Sequence, residues 1–182
     1  MTLSTRSKWI VLFILVLLVS GLFSFRLLSD PDIGTHLKAG KWIIENQRVP
    51  GKDTFTYTCT DHDYLDSHWF FQVLIYAVYL LSGYKGLSIF VFLQMALLSY
   101  LIWLRIRRYR ISFFILSWVV FAGIICMETR ITLRPEMFTF IFMTLMLLVL
   151  DRYYHEKKKN LWLLPLIMIL WCNMHGLLFL VL

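Results

Sequence analysis

Trp69 to Leu81, WFFQVLIYAVYLL, is the stretch whose reading decides the fold. As a helix it is roughly 20 Å long, against a bilayer core of about 30 Å. Counted as a span, it places Arg105, Arg107, Arg108, Arg110 and the cluster Lys157, Lys158, Lys159 on the same side of a membrane as the acidic segment that precedes it. Counted as an interfacial helix, it reverses that. Both basic clusters then join Arg6 and Lys8 on the cytoplasmic side, as the positive-inside bias requires. Trp69, Tyr76, Tyr79 and Tyr84 suit a helix lying at the headgroup level. The interfacial reading is adopted.

Composition supports the membrane setting. With 59% hydrophobic residues and a mean hydropathy of +0.70, the chain lies outside the soluble globular range. Its length limits it to about five spans. The first runs from Trp9 to Leu28 after Arg6 and Lys8; a cleaved signal peptide is the alternative, but no small-residue cleavage site precedes the acidic segment. The others cover Gly86 to Leu104, Ile111 to Met127, Met137 to Leu150, and Leu161 to the end. The expected architecture is an all-α polytopic membrane protein. Residues 1–28 form the first transmembrane helix, 29–85 a large extracytoplasmic loop with juxtamembrane helices, and 86–182 four further transmembrane helices. The chain stops at Leu182 inside apolar sequence, so an amino-terminal portion of a longer protein is expected.

The net charge of +7 does not point to nucleic acid, because the basic residues sit in short clusters beside hydrophobic stretches. Cys59, Cys126 and Cys172 are too scattered for a disulfide framework or a metal motif. No internal repeat is present.

Chemistry is sought in the polar segment Ser29 to Asp66, which holds seven of the chain's eleven acids: Asp30, Asp32, Glu45, Asp53, Asp61, Asp63 and Asp66. Asp32 to Gln47 reads as a helix with a partial apolar stripe of Ile33, Leu37 and Ile44, stopped by Val49-Pro50-Gly51. Phe55 to Thr60 alternates like a short strand, and Asp61-His62-Asp63 supplies turn chemistry. Asp30 and Asp32 could act as a general base or hold a divalent cation; equally, Asp32 could simply cap its helix. His36 follows Asp32 by one helical turn and could share a proton or a metal with it. His68 begins the interfacial helix and could point back toward Asp32.

Arg130 and Arg134 lie in a short extracytoplasmic loop, against the positive-inside bias, and suit bidentate binding of a lipid phosphate. Local pairing with Glu128 and Glu136 competes with that reading. Asn173, His175 and Gly176 place polar groups toward one face of the last span, where helix packing and function compete.

Asp30-Pro31-Asp32, followed by His36-Leu37, Gly40, Trp42-Ile43 and Pro50, resembles the first extracytoplasmic loop of the GT-C membrane glycosyltransferases. Arg134-Pro135 and Trp171 to Gly176 are similar to uncharacterised bacterial members of that group. The resemblance implies juxtamembrane helices carrying a catalytic aspartate, here Asp32 with Asp30 second. It implies a sugar donor on a polyprenyl-phosphate carrier, with His36, His68, Arg130, Arg134 and His175 toward the substrate. A bacterial inner membrane with the amino terminus inside is the implied location. A divalent cation remains open. The acidic pair is D-P-D rather than the adjacent Asp-Glu of some branches. The rival expectation is a non-catalytic membrane protein, either a transporter fragment or a lipid-binding assembly partner. A transporter would place ionisable residues along a path within its spans, and apart from His175 there are few.

Overall fold

The computed structural model describes residues 5–24, 31–55, 62–107, 109, 111–127 and 132–176. The helices are α1 (Thr5–Ser24), α2 (Asp32–Asn46), α3 (Trp69–Ile106), α4 (Phe113–Met127), α5 (Glu136–Glu156) and α6 (Leu163–Met174). Among the described residues the fold is all-helical. The single exception is an antiparallel bridge between Lys52 and Asp63, where Asp53 N donates to His62 O at 2.8 Å and Tyr64 N to Gly51 O at 3.0 Å.

That bridge changes the local reading of the polar segment. Asp63 lies on a paired backbone, not in a turn. Phe55 is a bend whose N–H donates to Asp53 Oδ1 at 2.9 Å, a local Asx bond that competes with extended pairing. Residues 56–61, the remainder of the expected strand and Asp61, lie outside the described residues.

α2 forms as its sequence expects, and Gln47 closes it in the left-handed region at φ 51°, ahead of Pro50. Its buried stripe is Ile33, Leu37, Gly40 and Ile43. Ile44 is 40% exposed, which corrects the expected stripe by one residue: 3.6-residue periodicity carries the face from Leu37 to Gly40 and Ile43. Gly40 lets α2 close onto α3. A Cβ there would overlap the Gln72 carbonyl group and Tyr76 Cβ.

α3 is two helices joined at Gly83, whose φ of 59° and ψ of −153° fall where essentially only glycine is tolerated. The rings of Phe71 and Phe90, one on each side of the break, both lie 6.2 Å from the ring of Phe138. Nineteen residues of straight α-helix would rise about 28 Å. The chain therefore folds back at Gly83, and residues 69–82 form a separate arm, as long as the sequence predicts for the segment ending at Leu81. α5 packs against both arms. At the far end Arg105 Nε donates to Asp151 Oδ2 at 2.8 Å, so residues 84–106 and α5 run side by side in the same direction. α6 returns the other way.

The core joins Ile33 and Leu37 of α2, Phe71 and Ile75 of the first arm, Leu87, Val91, Met95 and Leu98 of the second, and Met137 and Ile141 of α5. By length and composition α3 and α5 can cross a membrane, and only 33% and 28% of their most apolar windows are buried by the rest of the chain. A soluble core helix would be mostly buried; these present apolar surface outward, as a lipid-facing helix does. Shorter apolar helices cover Ile10–Ser24, Phe113–Gly123 and Leu163–Met174.

Candidate functional site

The amino ends of α2, the first arm of α3 and α5 meet the carboxy end of α6, and the polar residues of all four elements collect there. Each entering helix begins beside a carboxylate. Asp32 stands in the first turn of α2, Glu136 in the first turn of α5, and Asp66 just ahead of α3, where its Oδ1 accepts from His68 N at 3.0 Å and Gln72 Nε2 at 3.1 Å. Helix dipoles favour negative charge at these positions. The Asp32 carboxylate is largely exposed and has partners beyond its own helix.

Arg134 supplies one of them. Its Nη2 lies 3.9 Å from Asp32 Oδ2, with the two side chains 32% and 61% exposed. Such a pair contributes less than about 1 kcal/mol to stability, so its role is to place a cation beside the carboxylate. One turn along α2, His36 meets the edge of Phe71 at 5.3 Å and lies 6.1 Å from the ring of His68. His68 in turn lies 5.5 Å from His175. The ring of His68 thus has the imidazoles of His36 and His175 as neighbours, and its Nδ1 lies 3.2 Å from Ser67 Oγ.

His175 is held from outside this row. α6 ends at Met174, and His175 is extended at φ −153°, ψ 122°, with its N–H donating to Trp171 O. The expectation that Asn173, His175 and Gly176 share one helical face is corrected accordingly. Asn173 Oδ1 accepts from Trp69 Nε1 at 2.8 Å, and Gly176 packs so closely on Ser67 that a Cβ would overlap its side chain. Thr139 Oγ1 lies 2.7 Å from His175 Nδ1 and accepts from Trp171 Nε1 at 3.1 Å.

Burial pushes the Asp66 carboxyl above its ordinary value, against the opposing effect of its bonds to the His68 backbone, the His68 charge and Gln72. Burial also lowers His68 below 6.5, opposed by the negative charges of Asp66 and Glu136. A histidine depressed in the folded state contributes stability that is present above its unfolded value and lost as pH falls through its folded one. The His68 contribution to thermal stability should therefore decline as pH drops below about 6.5, against the opposite contribution of the raised Asp66 carboxyl, and His68→Gln should remove it. Melting curves of the two proteins across pH 5 to 8 check this; parallel profiles would refute it.

Of the residues singled out in the sequence, Asp32, His36, His68, Arg134 and His175 come together, while Asp30 and Arg130 lie outside the described residues. Among the described residues no group of three His, Cys, Asp or Glu side chains is placed to hold a metal ion. His62 and Asp63 belong to the Lys52 bridge region. Sequence reasoning missed Thr139 and gave Trp171, which enters there only through the resemblance, no role. Their signal was a lone hydroxyl in the apolar run Met137 to Phe142 and a tryptophan four residues before His175.

Two apolar cavities, of about 240 and 800 Å³, lie among α1, α3 and α4 and between α1 and α4, and neither is lined by these residues. Comparison of the chain with family models, with curated proteins and with solved structures gives no match.

Proposed function

We propose that the chain is the amino-terminal part of a GT-C-like glycosyltransferase that moves a sugar from a polyprenyl-phosphate carrier to an extracytoplasmic acceptor. The observation that carries this reading is the convergence of Asp32, Arg134 and three imidazoles from four separate elements at one end of the bundle. A carboxylate beside a cation and neutral donors suits a displacement in which a hydroxyl loses a proton while a phosphate gains charge. Asp32 takes the proton of the acceptor hydroxyl as its oxygen bonds to the anomeric carbon. The bond from that carbon to the phosphate oxygen breaks with inversion, and Arg134 with the histidines receives the negative charge on the departing phosphate.

In this reading the site faces the extracytoplasmic side, five spans cross the bilayer, and the arm 69–82 lies along the interface. Single cysteines at Lys52 and Tyr109 should then label with an impermeant maleimide from opposite sides of the membrane. Labelling of both from one side would remove the five-span arrangement. The function is tested with the intact reading frame that contains this chain, reconstituted with radiolabelled polyprenyl-phosphate sugars. Transfer or release of the sugar that depends on Asp32 supports the proposal; its absence across hexose and pentose donors would sink it.

A further inference from the structure

Thr139 sits between an obligatory donor and an ambiguous ring nitrogen, and this fixes where the protons lie. An indole N–H can only donate, so Thr139 Oγ1 accepts from Trp171 Nε1 at 3.1 Å. Among the described residues the remaining partner of that hydroxyl is His175 Nδ1, at 2.7 Å. If Nδ1 carried the ring proton and also donated to Oγ1, the hydroxyl hydrogen would have no acceptor in an apolar surrounding, which leaves its desolvation uncompensated. The hydroxyl therefore donates to Nδ1, and the neutral ring carries its proton on Nε2. The anchor is reinforced, because the same Trp171 accepts from the His175 backbone N–H through its carbonyl oxygen. His175 is 6% exposed, so its ring is held by packing as well as by hydrogen bonds.

We propose that Trp171 and Thr139 are positioning residues that lock His175 as a neutral Nε2–H donor, directed to a phosphate oxygen bound between His175, His68 and Arg134. The inference deepens the transferase reading and rests on it for the ligand class, whereas the tautomer itself does not depend on that reading. Phosphate is the ligand chemistry that fits, because two imidazole rings with centroids 5.5 Å apart are close enough for both to reach one tetrahedral anion, His68 through the nitrogen not engaged with Ser67 Oγ. Arg134 brings positive charge beside Asp32, and because the negative charges of Asp66 and Glu136 also reach the two rings, Arg134 and the ring N–H groups must outweigh them for the anion to bind.

The test reads the imidazole nitrogens directly. The intact protein, labelled with ¹⁵N-histidine, is placed in phosphatidylcholine nanodiscs, and His175 is assigned by its loss in His175→Gln. The wild type and Thr139→Ser should both show an acceptor-type Nδ1 and a protonated Nε2. Thr139→Val should shift the tautomer ratio toward Nδ1–H by tenfold or more, and Trp171→Phe by less, since it loosens the hydroxyl without removing it. A wild-type Nδ1–H, or an unchanged ratio in Thr139→Val, overturns the lock. Inorganic phosphate in one arm, and phosphatidic acid doped into the nanodisc in another, should move the Nε2 resonance of wild type and Thr139→Ser but not of Thr139→Val. A response to only one arm supports the site and identifies its source as free or lipid phosphate, and silence in both overturns the phosphate assignment. Failure of sugar transfer with the lock and the phosphate response intact would remove the transferase reading alone.

Discussion

Asp32→Asn should lower sugar transfer by roughly 10²- to 10⁴-fold, the usual contribution of a general base, while leaving the protein folded. The separation of effects follows from where the side chain stands. It is 61% exposed and contacts Arg134 at 3.9 Å, so loss of its charge should cost less than about 1 kcal/mol. The comparison protein is Asp63→Asn, whose residue is engaged in the bridge to Lys52 and should transfer sugar normally. Equal transfer by Asp32→Asn and wild type at matched membrane expression would take Asp32 out of the reaction.

Gly40→Val should have the largest effect on stability, in the direction of loss by about 1–3 kcal/mol or more. Atoms in the way of a Cβ at Gly40 include the Gln72 carbonyl carbon and oxygen, which are backbone and cannot swing aside as a side chain would. Gln72 is further tied by its own side chain to Asp66. α2 would have to lift off the first arm of α3, carrying Asp32 and His36 away from His68. Gly34, on the same helix, has nothing within 4 Å of its Cβ position. Gly34→Ala should therefore stabilise by about 0.5–1 kcal/mol through helix propensity alone. Thermal melts of both variants in nanodiscs decide the matter, and a Gly40→Val protein as stable as wild type would show that this close approach is wrong.

Patterns that depend on neighbours in sequence were legible, and those that depend on neighbours in space were not. The helix from Asp32 follows from periodicity, and the separate arm beginning at Trp69 from its length and the distribution of charge around it; the glycine break that ends the arm was not read in advance. At Asp53 and Phe55 a local hydrogen bond replaces extended pairing, and Lys52 pairs with Asp63, a partner that alternation alone does not name. The buried face of α2 shifted from Ile44 to Ile43 because Gly40 had to face Gln72, a demand no propensity expresses. For the site, residue types pointed to Asp32, His36, His68, Arg134 and His175. Their arrangement did not follow from spacing, since His68 and His175 are more than a hundred residues apart. Thr139 escaped notice and Trp171 received no role because a threonine or tryptophan in an apolar helix has an ordinary packing explanation, and only the hydrogen bonds distinguish them.

The reversal at Gly83 also sets an order of assembly. Phe138 touches a ring on each arm of α3, yet it is made dozens of residues after both. During synthesis the two arms can each coil as they emerge, because helix formation is local and fast, and contacts across the turn, Tyr79 on Tyr84 and Gly86 against Ser82, begin the hairpin. The arrival of α5 completes it. The imidazole row is completed later still, when His175 at the end of α6 reaches His68. Chains halted before residue 138 should hold α2 and the first arm without the clamp that seats them, exposing apolar surface to quality control in the meantime.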